Sequence, residues 1–324
     1  MSFPVPALLK LIEQEIKKQT FGSQPKSLYE PIRYIMSLGG KRLRPLLAML
    51  SYSLYKNDPE KIVKYAITIE AFHNFTLLHD DIMDKAPLRR GKATVHEKWN
   101  VNTAILSGDV MLVKVYDQFL DLDGDVLKEV LRIFNQCAAE VCEGQQWDME
   151  FETKTRVTEA QYIEMIRLKT AVLLGFSLEL GALLANANSE ERQALKEFGT
   201  NIGIGFQLRD DLLDVYADKN KFGKQVGGDI LANKKTYLLI KAKEKAKGKD
   251  KQELEFWLNA KKFDKLKKIK AVTSLYNKLG IAPLTEGKIE EYFSKGFQNL
   301  DRLKDSPQKQ QLIEFTQNLI TRQS

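Results

Sequence analysis

Cysteine is almost missing from this chain, which carries two in 324 residues, Cys137 and Cys142. So few thiols exclude a disulfide-stapled scaffold and fit a reducing compartment. Five positions apart on a helix they face different ways, so they make no metal-binding pair. Histidine is as scarce, with three residues, leaving little material for a Ser–His–Asp or Cys–His nucleophile. The 19 glycines and 9 prolines come to under 9% of the chain, against about 12% in average usage. No stretch approaches the roughly 18 uninterrupted apolar residues of a membrane span. The start, Met1-Ser2-Phe3-Pro4-Val5-Pro6, lacks the basic-then-apolar layout of a signal peptide. A cytoplasmic protein without integral membrane association is expected.

What fills the space is helix-forming sequence, long stretches rich in Leu, Ala, Lys and Glu with few breakers. The expectation is an all-α fold, one domain over residues 1–324, with ten or more helices joined by short loops. Gly39-Gly40 reads as a helix stop, and Pro45 as a first-turn residue of the next helix. Thr158 and Gln161 read as a capping box opening a helix that runs to about Asn186. Gly223 to Asn233 reads as a glycine-rich loop. The net charge of +7 is local: Lys241 to Lys270 holds 12 lysines against 5 acids. That segment reads as two helices, Lys241 to about Ala260 and Lys261 to about Lys278, with a solvated face. Aromatic residues are not interleaved for base stacking, so no nucleic-acid partner is expected.

Two acidic signatures dominate the remainder: Asp80-Asp81-Ile82-Met83-Asp84 and Asp210-Asp211-Leu212-Leu213-Asp214. On a helix the first and fifth residues of each lie one turn apart on one face, about 5–6 Å between Cβ atoms. Carboxylates that close repel one another unless a cation sits between them. Hard oxygen ligands in sparse pairs suit Mg²⁺, which keeps several waters and takes further ligands from a substrate phosphate. Two such pairs across a cavity would hold a Mg²⁺ cluster around a diphosphate. A single motif would be weak evidence, since helix surfaces carry such runs by composition alone.

Basic segments flank these acids: Gly39-Gly40-Lys41-Arg42-Leu43-Arg44-Pro45 before the first, and Pro87-Leu88-Arg89-Arg90-Gly91-Lys92 after it. Phe206-Gln207-Leu208-Arg209 leads into the second, followed by Gly227-Gly228-Asp229 and Lys234-Lys235-Thr236-Tyr237. In this order the motifs resemble the trans-isoprenyl diphosphate synthase (polyprenyl synthetase) family, over roughly residues 35 to 240. The resemblance implies a helical bundle around a deep central cavity, a homodimer through the apolar helices between Asn102 and Glu150, and about three Mg²⁺ per site. It implies condensation of isopentenyl diphosphate with an allylic diphosphate. Asp80 and Asp84 would hold two Mg²⁺ and Asp210 a third, with Asp81, Asp211, Asp214 and Asp229 as further or supporting carboxylates. Arg89, Lys169, Thr170, Gln207, Lys224 and Lys234 match contacts to the allylic diphosphate. Lys41, Arg44, His73 and Arg90 match the isopentenyl diphosphate site. His73 lies seven residues before Asp80, nearly two helical turns, and so shares its face.

Ala93 and Leu238 stand where the family often has proline, which bears on loop stiffness more than on chemistry. Product length is expected to follow from the residues beneath the first motif. Thr76 lies one turn below Asp80, with Phe75 beside it and Phe72 about a turn deeper. A turn rises about 5.4 Å, close to one extended isoprene unit. Phe75 resembles the floor of archaeal-type geranylgeranyl synthases, which share the uninserted motif. A twenty-carbon product is therefore expected ahead of fifteen. A class I terpene cyclase would leave Lys41, Arg44 and Arg90 without a task. A non-catalytic subunit of a heteromeric synthase would typically lose one acidic motif. A plain helical scaffold explains neither motif.

Overall fold

The computed structural model describes residues 3–217 and 227–321. Helices carry nearly all of it; among the described residues the strands are β1 (Leu88–Arg89) and β2 (Lys92–Ala93), an antiparallel pair. The described helices up to the second acidic motif are α1 (Val5–Lys18), α2 (Lys26–Ser37), α3 (Leu43–Ser53), α4 (Val63–Met83), α5 (Val95–Lys98), α6 (Val101–Phe119), α7 (Gly124–Thr153), α8 (Glu159–Ile166), α9 (Val172–Leu184) and α10 (Ser189–Tyr216). Further helices cover Gly228–Ala232, Tyr237–Lys245, Gly248–Asn259, Lys265–Lys278, Ile281–Asn299 and Pro307–Thr321. The chain divides into two compact units. One holds the residues up to Gln136, with Phe176–Lys196 and Leu303–Leu312; the other holds Cys137–Gly175, Glu197–Arg302 and the residues from Ile313 on.

In the first unit α4 is the central element. It is apolar almost all round, as a helix buried on every side must be, and it packs against α1, α2, α3 and α6. Phe72 of α4 meets Phe134 edge-on at 5.1 Å, and Phe119, Tyr116 and Phe176 pack around the same ring. Such pairs add about 0.5–1.5 kcal/mol each beyond the area they bury, so the middle of α4 is rigidly held. Gly181 of α9 rests directly on α3: a Cβ there would lie 2.0 Å from the Ala48 carbonyl oxygen. One turn away, the Ser51 hydroxyl donates to the Leu178 carbonyl at 2.7 Å.

In the second unit a separate core gathers Val215, Ile230, Leu238, Leu239, Leu254, Val272, Leu275 and Tyr276. The capping box is present, with Thr158 and Gln161 each satisfying the other's backbone N–H. The long helix expected after it contains a π turn, Arg167–Ala171, between α8 and α9. The lysine-rich segment departs from its sequence reading twice. Its first helix breaks at Ala246–Lys247, where both residues are extended (ψ 129° and 159°) and Gly248 takes φ 51°. Its solvated face is not uniform either. Lys268 is fully buried, donating to Asn233 Oδ1 at 2.7 Å and lying 4.3 Å from the Phe263 ring.

The contact at Gly181 is with backbone, which has no flexible end to move aside. Gly181→Ala should therefore cost about 1–3 kcal/mol, the usual penalty of overpacking. Urea unfolding of the two proteins measures it, and an unchanged midpoint would contradict this packing.

Candidate active site

The first acidic motif occupies the last turn of α4 and its C-cap, with Asp84 N–H donating to the Asp80 carbonyl at 2.9 Å. Adjacent residues on a helix point about 100° apart, and the two leading aspartates divide accordingly. Asp81 turns inward and is buried; Asp80 is half-buried and Asp84 exposed. Arg89, at the end of β1, grips Asp81 through Nε at 2.8 and 2.9 Å and through Nη2 at 2.7 Å, with Asp80 Oδ2 3.9 Å away. Burial pushes the Asp81 carboxyl up, and Arg89 works against that shift. Next in sequence, Arg90 turns elsewhere. Its left-handed backbone (φ 52°) sends Nη1 to the Gly39 carbonyl, and its guanidinium lies against Gly40. The neighbouring arginines of this hairpin thus serve different partners.

Arg90 brings the two basic segments together. Burial holds the His73 imidazole well below its ordinary range, and the charges of Arg44, Arg90 and Arg89 push it the same way. Three guanidiniums are thus within electrostatic reach of the His73 ring. Lys41 is exposed just before α3, and Arg44 is half-buried in its first turn. On the neighbouring turns of α4, Thr76 donates to the His73 carbonyl at 2.8 Å. Phe75 is buried, 5.7 Å from the Phe72 ring and 4.8 Å from the His79 ring.

The second motif, on α10, repeats the division. Asp210 is exposed, whereas Asp211 is buried and bonded by the Tyr162 hydroxyl and by Gln207 Nε2 at 3.0 Å. Thr170 extends the chain, donating to Gln207 Oε1 at 3.2 Å. Burial, then the charge of Asp229, drives the Asp211 carboxyl up to about 7, against the pull of Tyr162, Gln207 and Lys234. Asp214 caps the following segment, accepting the Asp229 N–H at 2.9 Å. Lys224 lies outside the described residues.

Lys169 and Thr170 sit on the π turn. Such turns aim side chains that a regular helix would point elsewhere. The turn presses against α7 at Gly144, where a Cβ would come 2.2 Å from the Lys169 backbone nitrogen. One turn further along α7, Asp148 accepts from Lys169 Nζ at 2.7 Å and pairs with Lys234 at 3.6 Å. Burial alone would raise this carboxyl, but the two ammoniums hold it below the usual range. Sequence reasoning selected neither Asp148 nor Tyr162. A signal was available for the first: Val141, Gly144 and Asp148 follow the three-and-four rhythm of a buried stripe, where an acid is out of place.

Among the described residues, no three Asp, Glu, His or Cys side chains converge to chelate an ion unaided. The donors are carboxylate oxygens in pairs, which leave a hard divalent cation to complete its sphere with water and phosphate. Repulsion between Asp211 and Asp229 is a cost that such a cation would relieve. In this sense the residues fit Mg²⁺.

A family model described as polyprenyl synthetase matches residues 25–276. The chain belongs to the polyprenyl synthetase family. It is 35% identical over 303 residues to the geranylgeranyl diphosphate synthase of Methanosarcina mazei, covering 93% of this chain and 91% of that protein. It is 43% identical to the short chain isoprenyl diphosphate synthase of Methanocaldococcus jannaschii, over 72% of this chain and 71% of the relative. A crystal structure of a geranylgeranyl pyrophosphate synthase superposes with a TM-score of 0.95 at 42% identity, covering 100% of both chains. The protein is thus a short-chain prenyltransferase of the trans type.

Because Gly144 meets backbone, a side chain there must displace the turn that carries Lys169 and Thr170. Gly144→Ala should lower turnover about a hundredfold, the scale of a 1 Å misplacement in a site. Steady-state kinetics on variant that retains its helical circular dichroism reads this, and full turnover would show that the close approach is immaterial.

Proposed function

We propose that the protein condenses isopentenyl diphosphate with an allylic diphosphate to give the twenty-carbon geranylgeranyl diphosphate, with Mg²⁺ held at both acidic motifs. The observation that carries the product length is the position of Phe75, a buried ring one turn below the first aspartates. Two of the relatives reported above are named for that length. In this reading Asp80 and Asp84 hold metal at the first motif and Asp210 at the second, with Asp81, Asp211 and Asp214 supporting them. Bound Mg²⁺ supplies Lewis-acid charge to the departing diphosphate. Arg89, Lys169, Thr170, Gln207, Lys224 and Lys234 supply donors for the allylic diphosphate. Such preorganised charge counts most where charge develops as the C1–O bond breaks. Lys41, Arg44, His73 and Arg90 hold the second diphosphate, so that the isopentenyl double bond attacks the allylic cation. A proton then leaves the new carbon chain.

The proposal includes one catalytic domain per chain, a cytoplasmic location and a homodimer. Among the described residues no helix is long and apolar enough to cross a membrane. Val101, Ile105, Leu106 and Val113 of α6, with Leu120 just beyond, are exposed large apolar residues. Leu106, Val113 and Leu120 recur every seven positions, the spacing of a helix seam. Light scattering should give twice the chain mass of 37.1 kDa, and a monomer at working concentration would remove this part.

Purified protein incubated with Mg²⁺, isopentenyl diphosphate and primers of five, ten or fifteen carbons should yield mainly the twenty-carbon product. No elongation of any primer would overturn the reading. Asp80→Ala and Asp210→Ala should each reduce kcat by roughly a thousandfold, corresponding to about 4 kcal/mol of transition-state stabilisation. Near-normal turnover of Asp80→Ala at saturating Mg²⁺ would reject its metal role. Phe75→Ala should lengthen the product by at least one unit, and Thr76→Phe should shorten it toward fifteen carbons. If chromatography of the products finds neither change, the floor lies elsewhere.

A further inference from the structure

One arginine of the cationic cluster has no role in the chemistry above. Arg42 stands between Lys41 and Arg44, yet its side chain is only 3% exposed. Every nitrogen of its fork is engaged. Nε donates to Glu13 Oε1 at 2.9 Å, Nη1 to Glu70 Oε1 at 2.7 Å and Nη2 to the Met36 carbonyl at 3.1 Å. Its backbone is left-handed (φ 47°, ψ 35°) at the N-cap of α3, where its carbonyl accepts the Leu46 N–H. A non-glycine residue stays in that region when the surrounding contacts over-determine it. Here the contacts tie the segment to the end of α2, to α1 and to α4. Glu70 itself is 4% exposed and lies one turn before His73.

We propose that Arg42 is a positioning residue for the isopentenyl diphosphate pocket, locking the Gly39–Arg44 segment onto α4 through Glu70 and Glu13. The proposal rests on the function assigned to Lys41, Arg44 and His73 above. Its geometric part is independent of that function. Arg42 sets the height and rotation of the two flanking cations against the helix that carries His73. It also spends the charge of Glu70, which is within electrostatic reach of Arg90 and would otherwise compete with phosphate for it. Lysine is a poor replacement, because a point ammonium does not reproduce three directed bonds from a planar fork.

The test compares wild type with Arg42→Lys, and with Glu13→Gln as a milder variant that spares the buried pair. The KM for isopentenyl diphosphate should rise about tenfold in Arg42→Lys, one charge-assisted hydrogen bond's worth, with kcat and the allylic KM within about twofold. Glu13→Gln should move the same constant in the same direction by less. Amide hydrogen exchange, which needs no turnover, should quicken in a peptide spanning 38–46 and stay unchanged in the last two turns of α3. Unchanged exchange in that peptide overturns the proposal. So does a joint loss in both KM values, kcat and melting temperature, which would mark Arg42 as merely structural. If wild type fails to condense the substrates, the functional reading falls, and exchange still decides whether Arg42 anchors the segment.

Discussion

Like charges held close together are the constraint on which this structure turns. Each acidic motif places three carboxylates within two helical turns, and each meets the resulting repulsion in the same way. The second aspartate goes inward and is neutralised or hydrogen-bonded by the protein: Asp81 by Arg89, Asp211 by Tyr162 and Gln207. The first is the more open of the two, with Asp80 half-buried and Asp210 exposed. Helical geometry makes this division almost automatic, because consecutive side chains diverge by about 100°. Burial penalises the inward carboxylate, so its partners must be in place before it is useful. Arg89 is both a partner of that kind and a proposed phosphate contact, which ties the hairpin to the acid cluster.

The same economy governs the basic side chains. An ammonium or guanidinium is held in place by the acids and carbonyls it meets. In the second unit Asp148 restrains Lys169 and Lys234 together, and its buried carboxylate is stabilised by sharing. In the first, the left-handed turns at Arg42 and Arg90 fix where the cations point. Backbone strain of that kind costs of order 1–3 kcal/mol per residue. Hydrogen bonds to charged partners, each worth about 1.5–3 kcal/mol net, are large enough to offset it.

Much of this was legible in the residues, for reasons of period and chemistry. The one-turn spacing of the aspartates, the phase of His73, the stop at Gly39-Gly40 and the cap at Thr158 are local rules, and local rules survive folding. What escaped depended on contacts between distant segments. The π turn at Arg167–Ala171 has no local breaker, and it lies against Gly144 on another helix. Lys268 was hidden by composition, since one lysine among twelve looks like surface. Its phase was the better guide: Val272 and Leu275 stand four and seven positions on, so it falls on the apolar stripe. The break at Ala246–Lys247 has a single glycine to mark it, which is weak against a run of helix formers.

Net charge illustrates the same limit from the other side. The excess of seven positive charges lies in one surface-rich segment, so it says little about the site. Around the two motifs the arrangement of charges matters more than their sum. Asp81 faces Arg89, Glu70 faces Arg42, and Asp148 faces two lysines. In each of these pairs the acid is about as buried as its cation or more so. Burial penalises an unpaired carboxylate most, so each of these cations offsets a cost of placing its acid there. Any ligand that binds the folded chain and not the unfolded one stabilises it by mass action. In the proposed reading, the diphosphates and their metal would add to the stability of the fold in this way.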